Sequence, residues 1–245
     1  MLDAHCHLDL FKNPLAAARE IERRRITTVA VTNLPSHFQQ GRPHVVGLKY
    51  VHLALGFHPL LAHEHAGERE LFERLLPEVS YIGEIGLDLS REGKATAGDQ
   101  LTSFRRILSL LGDRPRFVSL HTRGADRIVL DTLKEFATPP AVFHWYSGPL
   151  DTLAEAARAG HYFSVNPAMV RSKSGQAIIR GIPQERFLTE SDGPHVRVGE
   201  RAATPKDMGI VTQAAAGLWG ASPEAVQETV QENYDRLTGA VDVSH

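Results

Sequence analysis

The chain has 245 residues, 42% of them hydrophobic and 23% charged, with a formal net charge of -2. That is long enough for one large α/β barrel and too near neutrality for a broad electrostatic footprint on duplex nucleic acid, though a local pocket gripping one or two phosphates stays open. A single cysteine excludes an intrachain disulfide framework, and with no signal-peptide pattern and no run near the roughly 18 apolar residues of a membrane span, a soluble cytoplasmic protein is expected.

The first predicted strand covers residues 1–7, MLDAHCH. Successive strand side chains point to opposite faces, so Asp3, His5 and His7 share one side and Ala4 and Cys6 the other. Two imidazoles therefore converge, and the thiol faces away. Residues 14–25 read as a helix, with Pro14 at its first position and a basic last turn. Further strands are predicted at 26–33, 50–58, 81–88, 116–123, 141–146, 162–168 and 186–192, each followed by helical spacing. The last helix, 222–237, has Ser222 as N-cap and Pro223 at its first position. Strands alternating with helices imply parallel pairing, so the expected architecture is a (β/α)8 TIM barrel forming one domain over 1–245, with a doubly wound sheet as the alternative.

Glu84, His121, His144 and Asp192 fall near the C-terminal ends of their predicted strands, where a barrel carries its chemistry. Singly, each has an ordinary explanation: a packed histidine, a salt-bridge partner, or an aspartate starting the turn at Gly193 and Pro194. Jointly with His5 and His7 they form a set suited to zinc, manganese or magnesium. Six ligands exceed one tetrahedral ion and suit two divalent ions sharing a bridge.

The motifs DAHCHLD, GFHP, IGEIGLD, HTR, FHWYSG and TESDGP, in that order, resemble the TatD family of metal-dependent deoxyribonucleases in the amidohydrolase superfamily, over nearly the whole chain. HCHLDL, FSVNPAM and LTESDGP are most similar to the TatD-like subunit of Qat anti-phage defence systems, which implies other defence subunits as partners. The resemblance implies a barrel with two divalent ions, His5, His7, Glu84 and Asp192 on one, and Glu84, His121 and His144 on the other. It also implies hydrolysis of DNA, commonly from the 3′ end; a free single-stranded end is expected because a barrel mouth admits a terminus and the near-neutral chain lacks the basic surface to hold a long duplex. Against the family pattern, His58-Pro59 is followed by Leu60 where relatives have a second histidine. Val142 stands for a cysteine, and Trp145 and Tyr146 replace a phenylalanine.

Divalent ions lower the pKa of water toward about 7, so hydroxide is the expected nucleophile, Asp192 the general base and Glu84 the bridge. Alternation sends Arg123 to the face of His121, where its guanidinium suits a phosphate. His58 and Tyr146 are expected at the mouth by the same logic, and Lys173 in the segment 166–176, read as a phosphate-gripping lid or a polar loop. The three arginines at 23–25 are expected at the opposite pole, facing solvent. Two rival functions are a hydrolase of small cyclic amides or esters, which often bridges its ions with a lysine, and a catalytically silent subunit of a defence complex.

Overall fold

The structure is a computed structural model that describes residues 1–112 and 114–239; the remainder of the domain expected to reach 245 lies outside the described residues. Eight parallel strands follow one another in chain order: β1 (Leu2–Cys6), β2 (Thr27–Ala30), β3 (Val51–Leu53), β4 (Tyr81–Gly86), β5 (Phe117–His121), β6 (Val142–His144), β7 (Tyr162–Val165) and β8 (Phe187–Thr189). Backbone hydrogen bonds close both seams of the barrel. Between β3 and β4, Leu55 N–H donates to Tyr81 and Gly83 N–H to Leu55, both at 2.9 Å. Between β1 and the segment after β8, Asp192 N–H donates to His5 at 2.9 Å and His7 N–H to Gly193 at 2.8 Å.

Among the described residues ten α-helices accompany the strands: α1 (Pro14–Arg24), α2 (Pro35–Val45), α3 (Arg69–Leu75), α4 (Ala97–Leu111), α5 (Asp126–Glu135), α6 (Leu150–Arg158), α7 (Pro167–Arg171), α8 (Lys173–Gly181), α9 (Met208–Trp219) and α10 (Pro223–Thr238). Their ends follow the capping chemistry in the sequence. Asn13 accepts from Ala16 N–H ahead of Pro14, Arg25 ends α1 at φ 54°, and Ser222 accepts from Ala225 N–H ahead of Pro223. The helices bury one stripe each. In α4, Phe104, Ile107, Leu108 and Leu111 are buried at three- and four-residue spacing and join the core that holds Leu2, Ala4, Ile82, Ile85 and Leu120. Truncating one such leucine to alanine typically costs about 2–5 kcal/mol.

Arg23 and Arg24 are exposed and pair with Glu20 on α1, as solvent-facing residues. A two-stranded antiparallel ribbon, β9 (Arg197–Val198) with β10 (Arg201–Ala202), was not anticipated. Its strands are too short to show alternation, and only Gly199, at φ 62°, marks the turn. No helix among the described residues is long and apolar enough to cross a membrane.

Candidate metal centre

Alternation explains part of the site, and two bulges explain the rest. Between Asp3 and Cys6 the register of β1 against β2 slips by one residue, and between Ile82 and Ile85 that of β4 against β5 does the same. His5 lies in the first irregularity and Glu84 in the second. A bulge bends the strand and re-aims its side chain. The freed peptide groups at Glu84 are not orphaned, since Glu84 N–H donates to Thr32 and Thr32 N–H to Gly83, each at 3.0 Å. Gly86 lets β4 approach β5 beside them: at φ 137°, a Cβ there would sit 2.1 Å from the carbonyl oxygen of His121.

Glu84 is the hub of the resulting cluster. Its Oε1 lies 2.6 Å from His121 Nδ1 and 2.7 Å from His144 Nε2. Its Oε2 lies 3.4 Å from His7 Nε2, 3.6 Å from His58 Nε2 and 3.8 Å from His5 Nε2. Asp192 Oδ1 completes the far side, 3.6 Å from His7 Nε2 and 3.7 Å from His5 Nε2. The rings of His5 and His144 stack at 3.8 Å. All six ligand candidates expected from the sequence thus come together, and His58 joins them, grouped with Glu84 and His121. Asp192 sits at φ 45°, a region that aspartate tolerates better than most residues. Its N–H donates to β1 and its carbonyl accepts from Val196, which hold that conformation.

Burial and mutual charge set the protonation of the cluster. Burial holds the His5 imidazole well below its ordinary pKa, helped by neighbouring His144, and burial likewise lowers His58 to about 4. Burial works to raise the Glu84 carboxyl, but the imidazoles of His144, His58 and His121 outweigh it and hold it well below the usual range. Burial lifts Asp192 to about 7. For His144 the desolvation that disfavours charge is overcome by Glu84 and Glu190, which raise it. Neutral imidazoles and ionised carboxylates are what a metal needs, so a divalent ion and protons compete for the same lone pairs. Asp192 Oδ1 is buried and accepts no hydrogen bond, although imidazole nitrogens face it. This donor set fits divalent cations.

Several supporting groups carried no role in the expectations from sequence. Ser119 Oγ lies 2.8 Å from His5 Nδ1 and Asp88 Oδ2 lies 2.8 Å from His121 Nε2. Glu190 is fully buried, with Oε1 3.6 Å from His144 Nδ1. Each faces the ring nitrogen turned away from the hub, the arrangement that fixes the orientation of metal-binding histidines. Glu190 had a signal in the sequence: it lies two residues before Asp192, on the same side by alternation. Asp3, expected on the face of His5, ties β1 to the segment after β8 by accepting from His5 N–H and Ser191 N–H.

A cavity of about 590 Å³ opens above the cluster, within the usual range of ligand sites. Arg123, His58 and, unanticipated, Asn33, Trp145, Ser147 and His195 line it. Tyr146 does not: it is 1% exposed and donates its hydroxyl to the Pro149 carbonyl at 2.6 Å. The strand ends at His144, and Trp145 at φ 38° breaks the alternation that the expectation for Tyr146 assumed. Lys173 is also displaced from the site. Asn166 accepts from Ala168 N–H and Met169 N–H to start α7, Ser172 caps α8, and Lys173 is its exposed first residue, outside the cavity lining. The segment 166–176 is therefore two helices, not a loop.

Barrel and donor set together place the chain among metal-dependent hydrolases. The family follows from the sequence as a whole: residues 2–239 match the model of TatD related DNase, and the chain belongs to that family. Human deoxyribonuclease TATDN3 is 26% identical over 262 residues, covering 97% of this chain and 94% of that protein. The 3'-5' ssDNA/RNA exonuclease TatD of Erwinia billingiae is 29% identical over 197 residues, 74% of this chain and 75% of that one. The solved structure of YJJV, a TatD homologue of Escherichia coli K12, superposes with a TM-score of 0.86 at 22% identity, covering 97% of each chain, and shares the fold.

Proposed function

We propose that this protein hydrolyses DNA phosphodiester bonds at the barrel mouth with two divalent ions, trimming single-stranded ends. One observation carries the reading: the two oxygens of Glu84 face two different sets of imidazoles, Oε1 toward His121 and His144 and Oε2 toward His5 and His7. A carboxylate so placed is suited to bridge two cations. His5, His7, Glu84 and Asp192 would hold one, and Glu84, His121 and His144 the other, with His58 beside them. The ions, whether zinc, manganese or magnesium, supply Lewis acidity that lowers the pKa of water and neutralises phosphate charge.

The chain's own residues do the remaining work. Asp192 accepts the proton of the attacking water with the carboxylate oxygen that does not face His5 and His7. Arg123 lines the cavity, is exposed, and has no ion-pair or hydrogen-bond partner for its guanidinium among the described residues, so it is free to take a phosphate in bidentate fashion. A barrel mouth of this size admits a strand end and not the middle of a duplex. The 3′-to-5′ direction draws support from the Erwinia relative, whose name states it. The defence setting draws support from the resemblance of HCHLDL, FSVNPAM and LTESDGP to the TatD-like subunit of Qat systems, and plaque counts with and without Glu84→Gln in such an operon test it.

Metal analysis of the purified protein beside digestion of 3′-labelled, 5′-labelled and circular single-stranded DNA tests the chemistry. Bound divalent metal and a ladder from one end are expected. Efficient cutting of circles would make the enzyme an endonuclease, and turnover of a small cyclic amide with no cutting of nucleic acid would overturn the reading.

A further inference from the structure

Trp145 is 38% exposed between His144 and Tyr146, which are 7% and 1% exposed. Among the exposed large apolar residues described, it alone lines the cavity over the metal centre. Its backbone sits at φ 38°, a conformation that is an outlier for a bulky side chain and persists only where the surroundings impose it. Here the buried Glu190 imposes it, accepting the Trp145 N–H at 3.0 Å while Ser164 and Asn166 hold the carboxylate from behind. The consequence is an indole held at the mouth and kept out of the core. A tryptophan packed for stability would show the opposite exposure.

The neighbours of that indole complement a nucleotide. Trp145 follows β6 and Arg123 follows β5, adjacent strands of the barrel, and a flat apolar ring and an unpaired guanidinium line the same cavity. Leu60 and Leu61, after β3, add apolar wall. We propose that Trp145 is the platform on which the base flanking the scissile phosphate stacks, with Arg123 taking the neighbouring phosphate. This rests on the phosphodiesterase reading and gives it a physical source of selectivity. Stacking on a side chain needs a base with a free face, and a base inside a duplex has both faces covered by its neighbours. Every base has such a face, so the site accepts any sequence.

The test uses single-stranded oligonucleotides carrying an abasic residue at the terminal or the penultimate position, compared with the intact strand, for wild type, Trp145→Phe and Trp145→Ala. In the wild type one of the two abasic positions should raise KM roughly 10-fold, the size of one base-stacking interaction. Trp145→Ala should raise KM on the intact strand by a similar factor, with kcat little changed, and should no longer distinguish intact from abasic ends. Trp145→Phe should keep most of the discrimination. A binding readout runs beside these: the chain has two tryptophans, and Trp219 packs against Phe187. A hydrolysis-resistant phosphorothioate octathymidylate should therefore quench wild-type emission and leave that of Trp145→Phe unchanged. Wild-type discrimination surviving in Trp145→Ala, or quenching surviving in Trp145→Phe, overturns the stacking platform while leaving the nuclease reading in place. Loss of kcat in both variants, equal on intact and abasic strands, would assign Trp145 a structural role and overturn it too. A wild type that cuts no nucleic acid fails the underlying reading, which the first digestion reveals.

Discussion

Asp88 Oδ2 lies 2.8 Å from Nε2 of His121, across the ring from the Nδ1 that faces Glu84 at 2.6 Å. The imidazole is held between two carboxylates, one in the cluster and one behind it. Asp88 is itself fixed, accepting from Ser90 N–H and donating its own N–H to Gln100. Asp88→Asn keeps the shape and removes the charge. It is expected to weaken divalent-ion binding by about 10- to 100-fold, with hydrolysis falling in parallel. Chelator competition measures the first, and an unchanged melting temperature of the metal-free protein separates it from misfolding.

Asp192→Asn separates proton acceptance from ligation. An amide oxygen still coordinates weakly but takes no proton from water. Turnover should fall by about 10² to 10⁴-fold, the typical contribution of a general base, with metal content reduced and not abolished. Stoichiometric metal with near-normal kcat in this variant would remove Asp192 from the role of base.

Arg123→Ala should raise KM for single-stranded DNA and leave the metal content unchanged, since the guanidinium lines the cavity and belongs to no ligand group. Removing one phosphate-neutralising charge makes the log-log dependence of binding on salt shallower by about 0.7. Titration of a phosphorothioate oligonucleotide across a salt series gives that slope directly, and an unchanged slope would place Arg123 away from the phosphates.

His161 predicts a pH dependence of folding far from the site. It is 3% exposed, accepts from Ala141 N–H at 3.1 Å through Nδ1, and meets Phe143 edge-on. Burial, with Arg186 and Lys134 adding repulsion, lowers it to about 4. Above pH 6.5 the residue is neutral folded and unfolded, and its contribution is complete. As the pH falls from 6.5 to 4 the unfolded chain takes up a proton that the folded chain refuses. Stability should therefore drop by about 3 kcal/mol over that window, at about 1.4 kcal/mol per pH unit. His161→Asn, whose Oδ1 replaces Nδ1 as acceptor, should flatten that part of the curve in denaturant melts at pH 7 and pH 4.5.

Eight strands, their order and the ligand types at their ends were legible in the sequence because period-two alternation, capping residues and turn chemistry are local. His5, His7, Glu84, His121, His144 and Asp192 could be singled out as donors on that basis alone. Which donors share a face of Glu84 was implied by the family resemblance and not by alternation, because two bulges decide it, and a bulge depends on where neighbouring strands find their hydrogen bonds. The same limit explains Tyr146 and Trp145. Alternation holds while a strand lasts, but β6 ends at His144 and the next residue turns at positive φ under the grip of Glu190, the residue just after β8. Lys173 was misplaced because Asn166 and Ser172 start helices where their polar neighbours suggested a loop. Local chemistry determined the barrel and the residues that could bind metal. The distances between residues far apart in the chain, among them Asp88 to His121, Ser119 to His5 and Glu190 to His144, exist only once the barrel closes, because packing and not spacing brings the first two pairs within hydrogen-bond range and the third to 3.6 Å.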